Sequence, residues 1–174
     1  MRALVLAVLL LAGCAPVLTQ EHLRKAQWEV SFSQLRANPE GYRGQLFVLG
    51  GIIADLKLTS EGSLLELVHV PADRRGYLGE PEASEGRFLA LYPRDRGILD
   101  PMIYAKGREV TVAGLVVGSR QGKLGEVPYT YPLLEVQEIY LWRKEPEVLV
   151  VPYWEPYWWP DYYYWPPPPY WWAP

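Results

Sequence analysis

The lone thiol of this chain, Cys14, follows Leu11-Ala12-Gly13 at the close of a short apolar run that starts after Arg2. That run is too short for a bilayer core, which needs about 20 helical residues, and its charged start and small-residue end read as a secretory signal over 1–13. The Leu-Ala-Gly-Cys ending resembles a bacterial lipobox. In such a motif the thiol receives a diacylglyceryl group, the chain is cut before the cysteine, and the new amine is acylated. Cys14 is thus the expected lipid-attachment residue, and a membrane the expected partner at that end. A disulfide framework needs paired cysteines, and a single Cys allows none within one chain. Each buried methylene contributes about 0.8 kcal/mol to membrane attachment, and two acyl chains suffice for stable anchoring. Ala15, rather than Asp, after the cysteine points to the outer membrane by the sorting rule of enteric lipoproteins.

Other chemistry has few parts to work with. The two histidines are His22, in a polar N-terminal stretch, and His69, which shares a strand face with Leu65 and Leu67. A nucleophile-and-base triad cannot be assembled from them, and His69 reads as a partly buried structural side chain. No His or Cys cluster has ligand spacing, so no metal or cofactor is expected. Carboxylates at Asp73, Glu80, Glu82, Glu85, Asp95 and Asp100 lie beside Arg74, Arg75, Arg87, Arg94 and Arg96 in expected loops. They read as a solvated mixed-charge surface; a cell-wall hydrolase built on two of them is the distant alternative. With Arg2 removed, 16 Lys and Arg face 20 Asp and Glu, and no basic face is available for nucleic acid.

Stepping outward, 14–29 is polar and reads as a lipidated tether, and 30–145 as one globular domain. Ser31 and Gln34 form a capping-box pattern that opens a short helix ended by Asn38-Pro39. Strands are expected over 45–55, 63–70, 87–92, 109–118 and 133–142. The first is apolar on both faces and holds Gly50-Gly51, which calls for a bulge, a bend or a close approach. In the last, apolar parity shifts between Val136 and Ile139, so a bulge near Gln137-Glu138 is needed to keep both halves on the core. A hairpin turn is expected within 118–125, and surface loops over 71–85 and 92–108. The pattern predicts an all-β fold, a small OB-like antiparallel β-barrel with one short N-terminal helix, against an open sandwich.

The segment 146–174 differs in kind. From Pro152 onward it carries six Trp, six Tyr and eight Pro in 23 residues, with Pro-Tyr-Trp starting at Pro152, Pro156 and Pro169. So many prolines favour extended polyproline II, and a disordered low-complexity tail is expected. Its Trp154, Trp158, Trp159, Trp165, Trp171 and Trp172 form the candidate interaction residues. Trp and Tyr suit a lipid headgroup layer, a stacked sugar ring or a docked protein, so an envelope glycan such as peptidoglycan, or a protein, is the alternative partner.

Taken in order, several short motifs resemble the Slp family, the starvation-inducible outer-membrane lipoproteins of Gram-negative bacteria. They are Tyr42-Arg43-Gly44 leading into Gly50-Gly51-Ile52-Ile53, Gly86-Arg87-Phe88, Gly107-Arg108, Thr111-Val112-Ala113-Gly114, Gly125-Glu126, Tyr129-Thr130-Tyr131-Pro132 and Leu141-Trp142. Pro71-Ala72-Asp73 departs from the Pro-Leu-Asp of that pattern, and the aromatic tail lies outside it. The likeness runs from Cys14 to about Trp142. It implies a lipid-anchored envelope protein tied to stationary phase and stress, with a structural or binding role and no established enzymatic activity.

Overall fold

The computed structural model describes residues 16–144. Cys14 and the six tail tryptophans, Trp154, Trp158, Trp159, Trp165, Trp171 and Trp172, lie outside the described residues, as do the signal and tail assignments. Among the described residues no helix is long and apolar enough to cross a membrane.

The described strands are β1 (Leu46–Leu58), β2 (Gly62–Val70), β3 (Arg87–Pro93), β4 (Glu109–Leu124) and β5 (Val127–Leu141). They close into a barrel in the order β1-β2-β3-β5-β4, with β1 paired to both β2 and β4. Closure decides for the OB-like barrel over the sandwich. One seam departs from the antiparallel expectation: β3 and β5 run parallel, joined through Leu89–Leu133, Ala90–Leu134 and Leu91–Glu135. Strand order in space is a long-range property, so local patterning carries no signal for it.

Alternation fills the interior. Phe47, Leu49 and Ile53 from β1, Leu65 and Leu67 from β2, Phe88 and Ala90 from β3, Val110 and Val112 from β4, and Leu134 and Val136 from β5 form one buried core. Strand sides repeat every two residues, so each unpaired extra residue switches the facing parity. Register shifts occur at Ala54 in β1, at Val117 in β4 and at Gln137 in β5. The last is the bulge required by the apolar parity; it lets Val136 and Ile139 both address the core. The Arg96 guanidinium closes over it, donating to the carbonyl oxygens of Val136 (2.5 Å) and Gln137 (2.6 Å).

Gly50 marks a close approach. A β-carbon there would stand 2.6 Å from the Val70 carbonyl oxygen and run into the Leu78 side chain. The hairpin turn lies at the end of the expected segment: 118–124 continues β4, and the chain reverses at Gly125-Glu126 between paired Leu124 and Val127. Gly125 supplies the positive φ of 63° that such a two-residue loop requires. β4 and β5 are therefore longer than their apolar stretches, because the outer part of this hairpin has solvent on both faces.

Among the described residues, two short α-helices precede the barrel. Helix α2 (Phe32–Ala37) has the full capping box: Ser31 accepts from the Gln34 amide while the Gln34 side chain accepts from the Ser31 amide. Helix α1 (Gln20–Lys25) lies within the segment expected to be a tether. Leu18 and Leu23 are buried against Val48 and Ala113 on the outer face of β1 and β4, and the Gln27 amide donates to the Leu46 carbonyl. That cover explains why the start of β1 is apolar on both faces. The expected loops are partly ordered by 3-10 turns at Pro81–Ala83 and Arg94–Arg96.

Candidate functional site

A groove of about 240 Å³ opens where the segment joining α1 to α2 crosses the end of β1 and β2. Trp28, Phe32, Phe47 and Leu49 give it apolar walls, and Ser31 and Glu85 add polar atoms. The backbone positions these groups for simple reasons. The capping box fixes the first residue of α2, Phe32, over the barrel mouth, and strand alternation turns His69 inward with Leu65 and Leu67.

His69 and Phe32 stack with ring centroids 4.1 Å apart and planes 8° from parallel. Phe32 also tilts against Phe88 at 5.9 Å, so the stack is continuous with the core. The imidazole is 6% exposed, and its Nδ1 is buried with no hydrogen-bond partner. Burial pushes the His69 pKa down to about 4 against the opposing pull of the Glu85 carboxylate, so the ring is neutral at physiological pH. Glu85 itself accepts from the Ser33 amide at 2.7 Å near the start of α2, and its carbonyl accepts from Arg36.

A buried polar atom without a partner costs about 1–3 kcal/mol. A ligand in this groove that brought a hydrogen-bonding group to Nδ1 and an apolar body to the aromatic walls would recover that cost.

The other residues singled out from the sequence are dispersed. Asp73 pairs with Arg75 and accepts from the backbone amides of Arg75 and Tyr77, closing its own loop. Asp100 accepts from the Met102 amide. Arg87 pairs with Glu66 at 2.7 Å on the sheet's outer face, where the Tyr131 hydroxyl also reaches Glu66 and the Tyr129 hydroxyl takes the Arg87 amide. These contacts hold the hairpin to β2 and β3. His22 is not a free tether residue: its Nδ1 lies 2.7 Å from Glu138 of β5, which also accepts from the Thr19 amide and hydroxyl. Burial raises the Glu138 pKa, but the bonds from His22 and Thr19 outweigh it and leave the carboxyl below its ordinary value.

Sequence reasoning placed His69 on the right face but missed Trp28 and Phe32 as its companions, and missed the pairing of His22 with Glu138 across 116 residues. The capping box was the available signal for Phe32. No local signal exists for the others.

Comparison with known proteins supplies the family context. A family model described as "Outer membrane lipoprotein Slp family" matches residues 11–172, a span that includes Cys14 and runs beyond Trp142 into the aromatic tail. The chain is 30% identical over 146 residues to "Uncharacterized lipoprotein YeaY" of Escherichia coli (strain K12), covering 83% of this chain and 72% of the relative. It is 30% identical over 113 residues to "Outer membrane protein Slp" of the same organism, covering 65% of this chain and 58% of Slp. An "Uncharacterized protein" of Haemophilus influenzae is 27% identical over 95 residues, 54% of this chain and half the length of that relative.

Proposed function

The chain belongs to the outer membrane lipoprotein Slp family, and on that footing we propose that Cys14 carries an acyl anchor and that the barrel is a binding module of the cell envelope. The ligand class is a small amphipathic molecule with an apolar or aromatic body and one hydrogen-bonding group. The observation that carries the binding role is the groove whose wall contains a buried, unpartnered His69 Nδ1. Ligand pockets are concave, with polar groups that fix orientation against apolar walls; this groove is smaller than a drug-sized site, and polar and apolar groups line it in nearly equal measure, which suits a small amphipathic molecule. Action in stationary phase or under stress is part of the proposal, as is the non-enzymatic reading.

Indole is a suitable probe, with a flat apolar ring and one N–H. Saturable binding by the full mature chain, weakened about tenfold by His69→Phe, is the expected result of calorimetric titration; tenfold corresponds to about 1.4 kcal/mol. Binding that is absent, or unaffected by the substitution, overturns the groove as a ligand site. For the anchor, intact mass and density-gradient fractionation of the native protein beside Cys14→Ser are decisive. A triacylated Cys14 and loss of the variant from the outer-membrane fraction are expected, and a soluble unacylated native protein overturns it.

A further inference from the structure

The barrel has one end at which three independent features meet. The Val17 amide donates to the Arg75 carbonyl at 3.1 Å, which fixes where the chain coming from Cys14 reaches the fold. Two residues, Ala15 and Pro16, separate Cys14 from Val17, so the three steps reach at most about 11 Å even fully extended. Beside that point Tyr77 lies 5.6 Å from Trp142 between ring centroids, and Trp142 lies 5.1 Å edge-on from Tyr140, which is 39% exposed. Arg108 then joins this aromatic group to the loop before β4, donating to the Trp142 carbonyl at 2.6 Å and to the Ile103 carbonyl at 3.2 Å. That loop holds Met102 and Ile103 out in solvent, 86% and 53% exposed.

Exposed Met and Ile beside half-buried Tyr and Trp are unfavourable in water but suit a headgroup layer, where an aromatic ring is buried and its polar atom stays wet. The surrounding exposed cations Lys106, Arg143 and Lys144 complement anionic headgroups. Among the described residues, the other exposed large apolar side chains are Leu58 at the end of β1, Ile98 earlier in the loop before β4, and Leu124 and Val127 at the tip of the β4–β5 hairpin, about fifteen strand residues away along β4.

We propose that this end of the barrel, carrying Met102, Ile103, Tyr140 and Trp142, rests on the lipid headgroups of the membrane that holds the anchor. The inference depends on acylation of Cys14: a lipid there keeps the Val17–Arg75 junction within a short reach of the bilayer, so this face meets the surface before any other. The barrel is then held at two points, by acyl chains and by a shallow apolar wedge, with the β4–β5 hairpin projecting away from the membrane.

The test uses the full acylated protein reconstituted in vesicles of phosphatidylethanolamine and phosphatidylglycerol. Nitroxide labels are attached through Met102→Cys or, as control, Gln121→Cys; both positions are solvent-exposed and outside the core. The label at 102 is expected to gain collisions with oxygen and lose collisions with a water-soluble nickel chelate severalfold on vesicles, while the label at 121 stays aqueous. A protein that floats with vesicles and shows acylated Cys14 by mass, yet keeps position 102 as aqueous as 121, overturns the docking face and leaves the anchor intact. Loss of both kinds of collision at 102 marks contact between protein copies and overturns the lipid assignment. An unacylated protein that does not float overturns the anchor and the docking face together.

Discussion

Proton binding at one imidazole sets a testable signature. His69 is held at a pKa of about 4 by burial, whereas an unfolded chain returns it to about 6.5. Above that higher value the ring is neutral in both states and its contribution to stability is fully present. As pH falls from about 6.5 through 4 the unfolded chain takes up a proton that the folded chain refuses, and up to about 3 kcal/mol is lost. Urea midpoints measured across this range are expected to fall for the native protein and to flatten in His69→Phe, which keeps an aromatic ring against Phe32. The carboxylates act lower: Glu138 is depressed below 4.5, so its contribution disappears only as pH drops through that lower region. Arg96 makes a second residue-scale case. It satisfies two carbonyls at the Gln137 bulge, so Arg96→Ala leaves both seeking water in a half-buried setting. A loss of about 1–3 kcal/mol in equilibrium unfolding is expected, and an unchanged midpoint counts against the clamp.

At the scale of elements, α1 is a cover strip rather than a leash. Leu23→Ala removes its main buried side chain, and about 2–3 kcal/mol should be lost locally. Hydrogen exchange is expected to speed up at the amides of Gln20–Lys25 while the strands stay protected. Gly50→Ala tests the crossing of β1 over β2: its methyl group would press on the Val70 carbonyl and Leu78, so equilibrium unfolding should show a loss of at least about 1–3 kcal/mol. These elements also explain what the chain discloses before folding. Strand alternation, the Ser31–Gln34 cap and the parity break at Gln137 are local, and each was legible. Leu18 and Leu23 are two apolar residues in a polar run, too few for a period, so the docking of α1 was not. The outer halves of β4 and β5 were missed because a hairpin wet on both sides has no apolar rhythm. The groove needed Phe32, Phe47 and His69 from three separate elements, a juxtaposition that no spacing encodes.

For the whole molecule, the described residues form one closed sheet with a groove at one end and an aromatic and apolar rim beside the Val17–Arg75 junction. The aromatic tail is testable apart from it: titration of peptidoglycan fragments into the full mature chain and into one ended after Val151 should separate if the tail reads sugar, and equal negligible heats count against that reading. Closure of the sheet has a kinetic side. The parallel seam joins β3 to β5 through three residue pairs, Leu89–Leu133 to Leu91–Glu135, each spanning 44 positions, whereas β1–β2 and β4–β5 are hairpins closed by short turns. The β1–β4 seam, from Ile52–Glu109 to Leu46–Leu115, is also long-range. Loops of such length are costly to close before other contacts repay them, so the hairpins are expected to form early and these closing seams late. Ala90→Gly should therefore speed unfolding in stopped-flow chevrons and leave the refolding limb nearly unmoved. A chain that stays an open ribbon until its final step keeps two unpaired strand edges until then, and that interval is when it is most open to pairing with a second chain.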